Sequence, residues 1–144
     1  MGASLRAKIG LKDEARAYVS GAPADVAEML SAGPARLLKT MSGSFDFLLA
    51  FFQSEDDLDR HFQRLSGHLA ARGALWVAWP KGGRNTDLSL PRIIEIGYRH
   101  GMVESKTIAV DAAWSAIKFT APKPGKRYRN SYGQLASQRA TERG

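Results

Sequence analysis

The sequence predicts a single α/β domain, a three-layer sandwich whose mostly parallel sheet is closed at its C-terminal side by an antiparallel hairpin. Three observations carry this. Two near-continuous apolar runs, Phe45 to Phe52 and Ala74 to Trp79, are short and bounded by turn residues. Strands covered on both faces by helices read this way. Between the runs, Leu58, Phe62, Leu65 and Leu69 recur at i, i+4, i+7 and i+11, the apolar stripe of one helix. Finally, Val103 to Val110 and Trp114 to Ala121 alternate in polarity across a short turn, which favours antiparallel pairing. Strand–helix–strand alternation ending in such a pair is a layered α/β arrangement.

Each element has its own local reason. Glu14 to Ser20 alternates Ala15, Ala17 and Val19 with polar or aromatic residues, a short strand. Gly21-Ala22-Pro23 ends it, and Pro23 suits the first turn of a helix carrying Val26, Met29 and Leu30 up to Gly33-Pro34. Arg36 to Thr40 is a second short strand. After Phe45 to Phe52, Ser54 is placed to cap a helix whose first turn holds Glu55, Asp56 and Asp57, favourable at the positive end of the dipole. Arg72 and Gly73 are expected to close that helix, Gly73 as a left-handed cap. Pro80 ends the second buried strand, and Lys81 to Asn85 forms a loop. Thr86 or Ser89 caps the next helix, with Pro91 near its start, Ile93, Ile94, Gly97 and Tyr98 inside, and Gly101 as terminator. Asp111-Ala112-Ala113 turns the chain into the last strand. The whole reads as a Rossmann-like sheet with right-handed crossovers.

The net charge of +7 suggests nucleic acid until it is located. From Pro122 to Gly144 there are six basic residues and one acid, which leaves fifteen basic and thirteen acidic residues for the body. Residues 1–121 therefore read as one nearly neutral Rossmann-like domain, and 122–144 as a basic, flexible tail with a short helix near Leu135. The absence of cysteine excludes disulfides, a thiolate nucleophile, Cys-ligated zinc and iron–sulfur clusters. It fits a reducing cytoplasm. The N-terminus does not read as a signal peptide, and no apolar run approaches the roughly 20 residues of a membrane helix.

Two resemblances rest on these segments. Phe45-Asp46-Phe47-Leu48-Leu49-Ala50 resembles the fourth strand of class I S-adenosylmethionine methyltransferases. Leu69 to Val77 resembles that family's "leucine, glycine-glycine, leucine" entry into its fifth strand, and the closing hairpin is similar. This implies a truncated, methyltransferase-like version of the fold. The second resemblance is closer: Gly73 to Lys81, Thr86-Asp87-Leu88, Gly101-Met102-Val103, Ala109-Val110-Asp111 and Trp114 to Phe119 look like a bacterial family known only as domain of unknown function 3052. The early Ile9 to Lys12 fits the same pattern. That family implies a bacterial, cytosolic setting and brings no activity or catalytic residues.

The methyl-donor signature is missing where it matters. Its glycine-rich turn after the first strand is here Ser20-Gly21-Ala22-Pro23, with one glycine. Its acid at the end of the second strand is replaced by Lys39-Thr40-Met41. The tetrapeptide that binds acceptors after the fourth strand is replaced by Phe52-Gln53-Ser54-Glu55. No cofactor is therefore expected, S-adenosylmethionine included.

Candidate site residues cluster at one strand end. Pro80-Lys81-Gly82-Gly83-Arg84-Asn85-Thr86 follows a buried strand and precedes a helix, the edge at which open α/β sheets bind ligands. Gly82 and Gly83 let backbone N–H groups turn toward an anion, Lys81 and Arg84 supply charge, and Thr86 opens the approach to the helix. The loop reads as a phosphate or carboxylate subsite, against the plain alternative of a solvated loop. It lacks P-loop spacing. Trp79 and Trp114, near strand ends, could stack on a planar ligand, although filling the core margin is the commoner use of such residues. Asp111 and Lys118 are expected to form a structural ion pair. His61, His68 and His100 lack chelating spacing and are read as solvated surface. Glu55, Asp56, Asp57 and Asp59 read as helix-start charge. No GxSxG elbow is present. In the tail, Lys126 to Tyr132 interleaves basic and aromatic residues, a composition that binds nucleic acid or simply solubilises.

The expectation is a Rossmann-like binding domain for a small anionic ligand, with no metal and no catalytic residue identified. The alternatives are a divergent methyltransferase-like transferase and an interaction protein with a nucleic-acid-binding tail.

Overall fold

The computed structural model describes residues 16–24, 26, 36–37, 42–83 and 85–122. The N-terminal Ile9 to Lys12, most of the helix expected after Pro23, residues 38–40 of the second strand, Arg84 and the basic tail from Lys123 lie outside the described residues.

Six strands form one sheet: β1 (Arg16–Ser20), β2 (Arg36–Leu37), β3 (Phe45–Phe51), β4 (Leu69–Pro80), β5 (Val103–Ala109) and β6 (Trp114–Thr120), with two described helices, α1 (Glu55–Gly67) and α2 (Leu90–Arg99). The spatial order is β2-β1-β3-β4-β6-β5. The first four strands run parallel, and β6 is antiparallel to both β4 and β5. This is the Rossmann-like α/β sheet with its closing hairpin. The strand order reverses between β1 and β3, the switch point of the sheet.

Period-two alternation assigns the two faces. Leu48 and Ala50 of β3, Leu75, Val77 and Trp79 of β4, and Ile117 and Phe119 of β6 pack against Leu58, Phe62 and Leu65 of α1 and Ile93, Ile94 and Ile96 of α2. Phe47, Leu49, Phe51, Trp76, Ala78 and Ala116 turn to the opposite face, where they meet Val26. Alternation breaks at Asp46: Phe45 packs with the α1 side and Phe47 with the other.

The cause is a long bulge, and it corrects the expected helix end. Phe45 pairs with Leu69 but Phe47 pairs with Ala74, so β4 carries three extra residues there. Leu69 to Gly73 belong to this strand, and α1 stops at Gly67 with His68 as its cap. Gly73 is not a left-handed cap. A Cβ there would lie 2.8 Å from the Phe45 carbonyl oxygen and 3.1 Å from that of Ala70, so only glycine fits the bulge. Helix starts and stops otherwise follow local chemistry. The Ser54 Oγ accepts from the Asp57 N–H at 3.1 Å. Ser89 stands at the N-cap of α2, and at the other end Gly101 (φ 84°) lets Met102 N–H reach Gly97 O at 2.9 Å and its own N–H reach Tyr98 O at 3.1 Å. Among the described residues no helix is long and apolar enough to cross a membrane.

Candidate functional site

The C-terminal ends of β3 and β4 and the β5–β6 turn converge on a cavity of about 460 Å³. Gln53 comes from the end of β3, Pro80 ends β4, Lys81, Gly82 and Asn85 belong to the following loop, and Ala112 to Trp114 close the far side.

Sequence chemistry explains why these walls hold. Lys81–Gly83 is a tight turn kinked at Gly82, and Gly82 (φ 68°), Gly83 (φ 70°) and Asn85 (φ 54°) are all left-handed, a conformation that glycine and asparagine adopt most readily. The Lys81 N–H donates to Ala113 O at 2.8 Å, which ties the loop to the hairpin turn. That turn is held by Asp111, whose Oδ1 accepts from the N–H groups of Ala113 (2.8 Å) and Trp114 (2.9 Å). Asp111 is thus a turn former, and the ion pair expected with Lys118 does not occur.

The later part of the loop is anchored from within. Thr86 Oγ1 donates to Gln53 O at 2.6 Å and accepts from Leu88 N–H at 3.0 Å. Asp87 Oδ1 accepts from Glu55 N–H at 2.8 Å, a second cap for α1 supplied from a distant segment. Arg92 then bonds Glu55 at 2.7 Å and Glu95 at 2.9 Å, and its hydrogen bond to Glu55 raises its already high pKa further. Sequence reasoning missed this anchoring role. Thr-Asp-Leu before a helix is the local signal, but its partners lie more than thirty residues away.

The candidate residues therefore separate. Lys81, Gly82 and Trp114 line the cavity. Gly83 is exposed beside it, Thr86 is engaged with Gln53, and Arg84 lies outside the described residues. The two tryptophans do not act together. Trp79 pairs with Ser115 and Trp114 with Pro80, so they lie on opposite faces of the sheet. Trp79 is 9% exposed in the α2-side core. Trp114 stands edge-on to Phe51 at 5.0 Å and 75°, and the residue lines the cavity. Lys81 has no carboxylate partner among the described residues.

The histidines are half-buried and each has a partner, rather than being simply solvated. His68 Nδ1 lies 2.7 Å from Gly43 O. His100 Nε2 is 2.8 Å from Asp59 Oδ1, and its ring stacks on Phe62 at 5.2 Å. His61 stacks on Phe52. Among the described residues no group of three or more His, Cys, Asp or Glu side chains is placed to hold a metal. At the end of β1, Gly21 (φ 70°) approaches β3: a Cβ there would sit 3.2 Å from Phe51 O.

Comparison with known proteins agrees with this topology. A ribosomal protein L11 methylase from Lactobacillus delbrueckii subsp. bulgaricus superposes with a TM-score of 0.59 at 13% identity, over 83% of this chain and 76% of that one. A TehB-like SAM-dependent methyltransferase from Corynebacterium glutamicum gives 0.53 at 12% identity, over 83% of this chain and 87% of that one. Magnesium protoporphyrin IX methyltransferase from Synechocystis PCC 6803, with bound SAH, gives 0.55 at 10% identity, over 76% and 74%. At such identities the likeness shows the fold alone. No curated protein matches the sequence significantly. Residues 25–123, more than half of the sequence, match the family described as "Protein of unknown function (DUF3052)", and the chain belongs to that family.

Proposed function

We propose that this domain binds a small, planar, anionic ligand in the cavity between Lys81 and Trp114. The observation that carries the reading is the convergence of Lys81, which has no carboxylate partner among the described residues, and the half-buried Trp114 on a cavity of about 460 Å³, within the range of small-molecule sites. Lys81 Nζ supplies charge-assisted hydrogen bonds to a phosphate or carboxylate. The Trp114 ring supplies a surface for a planar group. The side-chain amides of Gln53 and Asn85 add polar contacts that orient the ligand. The left-handed Gly82-Gly83 turn keeps the rim free of side chains.

The test is a thermal-shift screen of phosphorylated and carboxylated aromatic compounds, followed by titration of each hit against Lys81→Ala and Trp114→Leu. Loss of the anionic contact weakens affinity by about tenfold or more. Equal affinity in wild type and Lys81→Ala, or no stabilisation by any such compound, overturns the reading.

A methyl-transfer reading has the fold likeness in its favour, including one relative with bound SAH. The end of β1 weighs against it. The close approach that its single glycine permits is occupied by the Phe51 carbonyl. The single glycine at the end of β1 thus serves the packing against β3, and no step is routed through the methyl donor. S-adenosylhomocysteine decides between the readings: stabilisation accompanied by amide shifts at Ser20 and Gly21 would replace the first with the second.

A further inference from the structure

We propose that a second, smaller cavity at the switch point between β1 and β3 is a site for one oxyanion group, a phosphate or carboxylate. This cavity, of about 120 Å³, is lined by Tyr18, Ser20, Phe52, His61, Arg64 and Leu65. It is separate from the site between Lys81 and Trp114, although the two meet the chain at neighbouring residues, Phe52 here and Gln53 there.

The backbone dictates how its polar groups converge. Tyr18 and Ser20 are two apart on β1 and share a face. Their register partners on β3, Leu48 and Ala50, belong to the α1 side of the sheet, so both hydroxyl residues face α1. On α1, His61 and Arg64 are three apart and neighbours on one helix face. Two hydroxyls from a strand thus oppose two nitrogen donors from a helix. Phe52 and Leu65 provide apolar walls that weaken competition from water.

Two of the polar groups are held by ring packing. The Tyr18 ring packs 5.9 Å from that of Phe45, which fixes the phenol body. The His61 ring lies nearly parallel to Phe52, at 21° and 6.4 Å, which fixes its plane. Arg64 has no carboxylate within ion-pair distance among the described residues, although its helix carries Glu55, Asp56, Asp57 and Asp59. Arg92, Arg99 and His100 do find acidic partners. Among the described residues no carboxylate lines the cavity. Its volume is well below the roughly 300 Å³ at which sites for whole organic ligands begin, so it fits a single group.

The experiment is an amide chemical-shift titration of the full chain with inorganic phosphate, with chloride at matched ionic strength as control. The expected result is saturable shifts at Ser20, His61 and Arg64 in phosphate alone. Arg64→Gln and Ser20→Ala should each raise the dissociation constant, Arg64→Gln by about tenfold. Lys81→Ala should leave it unchanged, which separates this site from the larger cavity. Shifts that are equal in chloride, shifts confined to Lys81–Asn85, an unchanged dissociation constant in Arg64→Gln, or no saturable response each overturn the proposal.

Discussion

Gly97 and Gly82 belong to the same half of the fold and meet opposite surroundings. A Cβ at Gly97 would lie 2.2 Å from Cε1 of Phe119, deep in the contact of α2 with β6. A Cβ at Gly82 would meet nothing within 4 Å. On the packed side, apolar groups fill all the space: Phe119 is fully buried, and its ring stands edge-on to Phe62 at 5.3 Å. At the rim, Lys81 has no carboxylate partner among the described residues. Thr86-Asp87-Leu88 forms the boundary, with its polar groups used to pin the loop to β3 and α1. A ligand can use only groups that the fold has not already engaged, and this boundary marks where they begin.

The sharpest way to break the contrast is Gly97→Ala. Overpacking a core typically costs 1–3 kcal/mol, and the buried, flanked Phe119 ring cannot swing aside, so the upper end applies. Better helix propensity offsets about 1 kcal/mol. A net loss of about 2 kcal/mol should appear as a lower urea midpoint, and an unchanged midpoint shows that α2 packs less closely than described. Asp87→Ala should cost about 1 kcal/mol through the lost cap on Glu55 N–H. Hydrogen exchange should report it as faster exchange in the first turn of α1, and protection unchanged there removes the pinning role of the loop. Gly82→Ala tests the rim itself. Space is open, so only the left-handed backbone (φ 68°) opposes the methyl group, at about 1 kcal/mol. A loss matching that of Gly97→Ala would erase the distinction between the two regions. Smallest is Arg92→Ala: its side chain is 49% exposed, so the loss of its pairs with Glu55 and Glu95 should be the least of these effects and should fade with added salt. A loss that does not respond to salt indicates a packing role for the side chain.

Much of the architecture was legible because it rests on short-range patterning. The run Phe45 to Phe51 announces a strand buried on both faces, and Ser54 with three acids announces the start of α1. The closing hairpin and the Gly101 stop were readable for the same reason. The end of α1 was not. Leu69 continues the helical stripe of Leu58, Phe62 and Leu65, yet the helix stops at Gly67. The contacts that stop it are distant in sequence: His68 Nδ1 against Gly43 O, and Phe45 N–H donating to His68 O at 2.7 Å. Periodicity alone cannot register them.

The site divides along the same line. Lys81, Gly82 and Trp114 were identifiable as residues at strand ends, because the end of a buried strand is where an open sheet exposes its edge. That Trp79 belongs to the core and Trp114 to the cavity depends on the pairing of β4 with β6, which sets which face each ring takes. That Thr86 anchors the loop depends on Gln53, and that Asp111 shapes a turn rather than pairing with Lys118 depends on the hairpin's geometry. By itself, then, the sequence determined the strands, the helix starts and the edge at which a ligand would bind, since these follow from residue order and local hydrogen bonding. Only the tertiary structure decided which polar groups at that edge are engaged by the fold, because the bonds of Thr86 to Gln53 and of Asp87 to Glu55 join partners more than thirty residues apart.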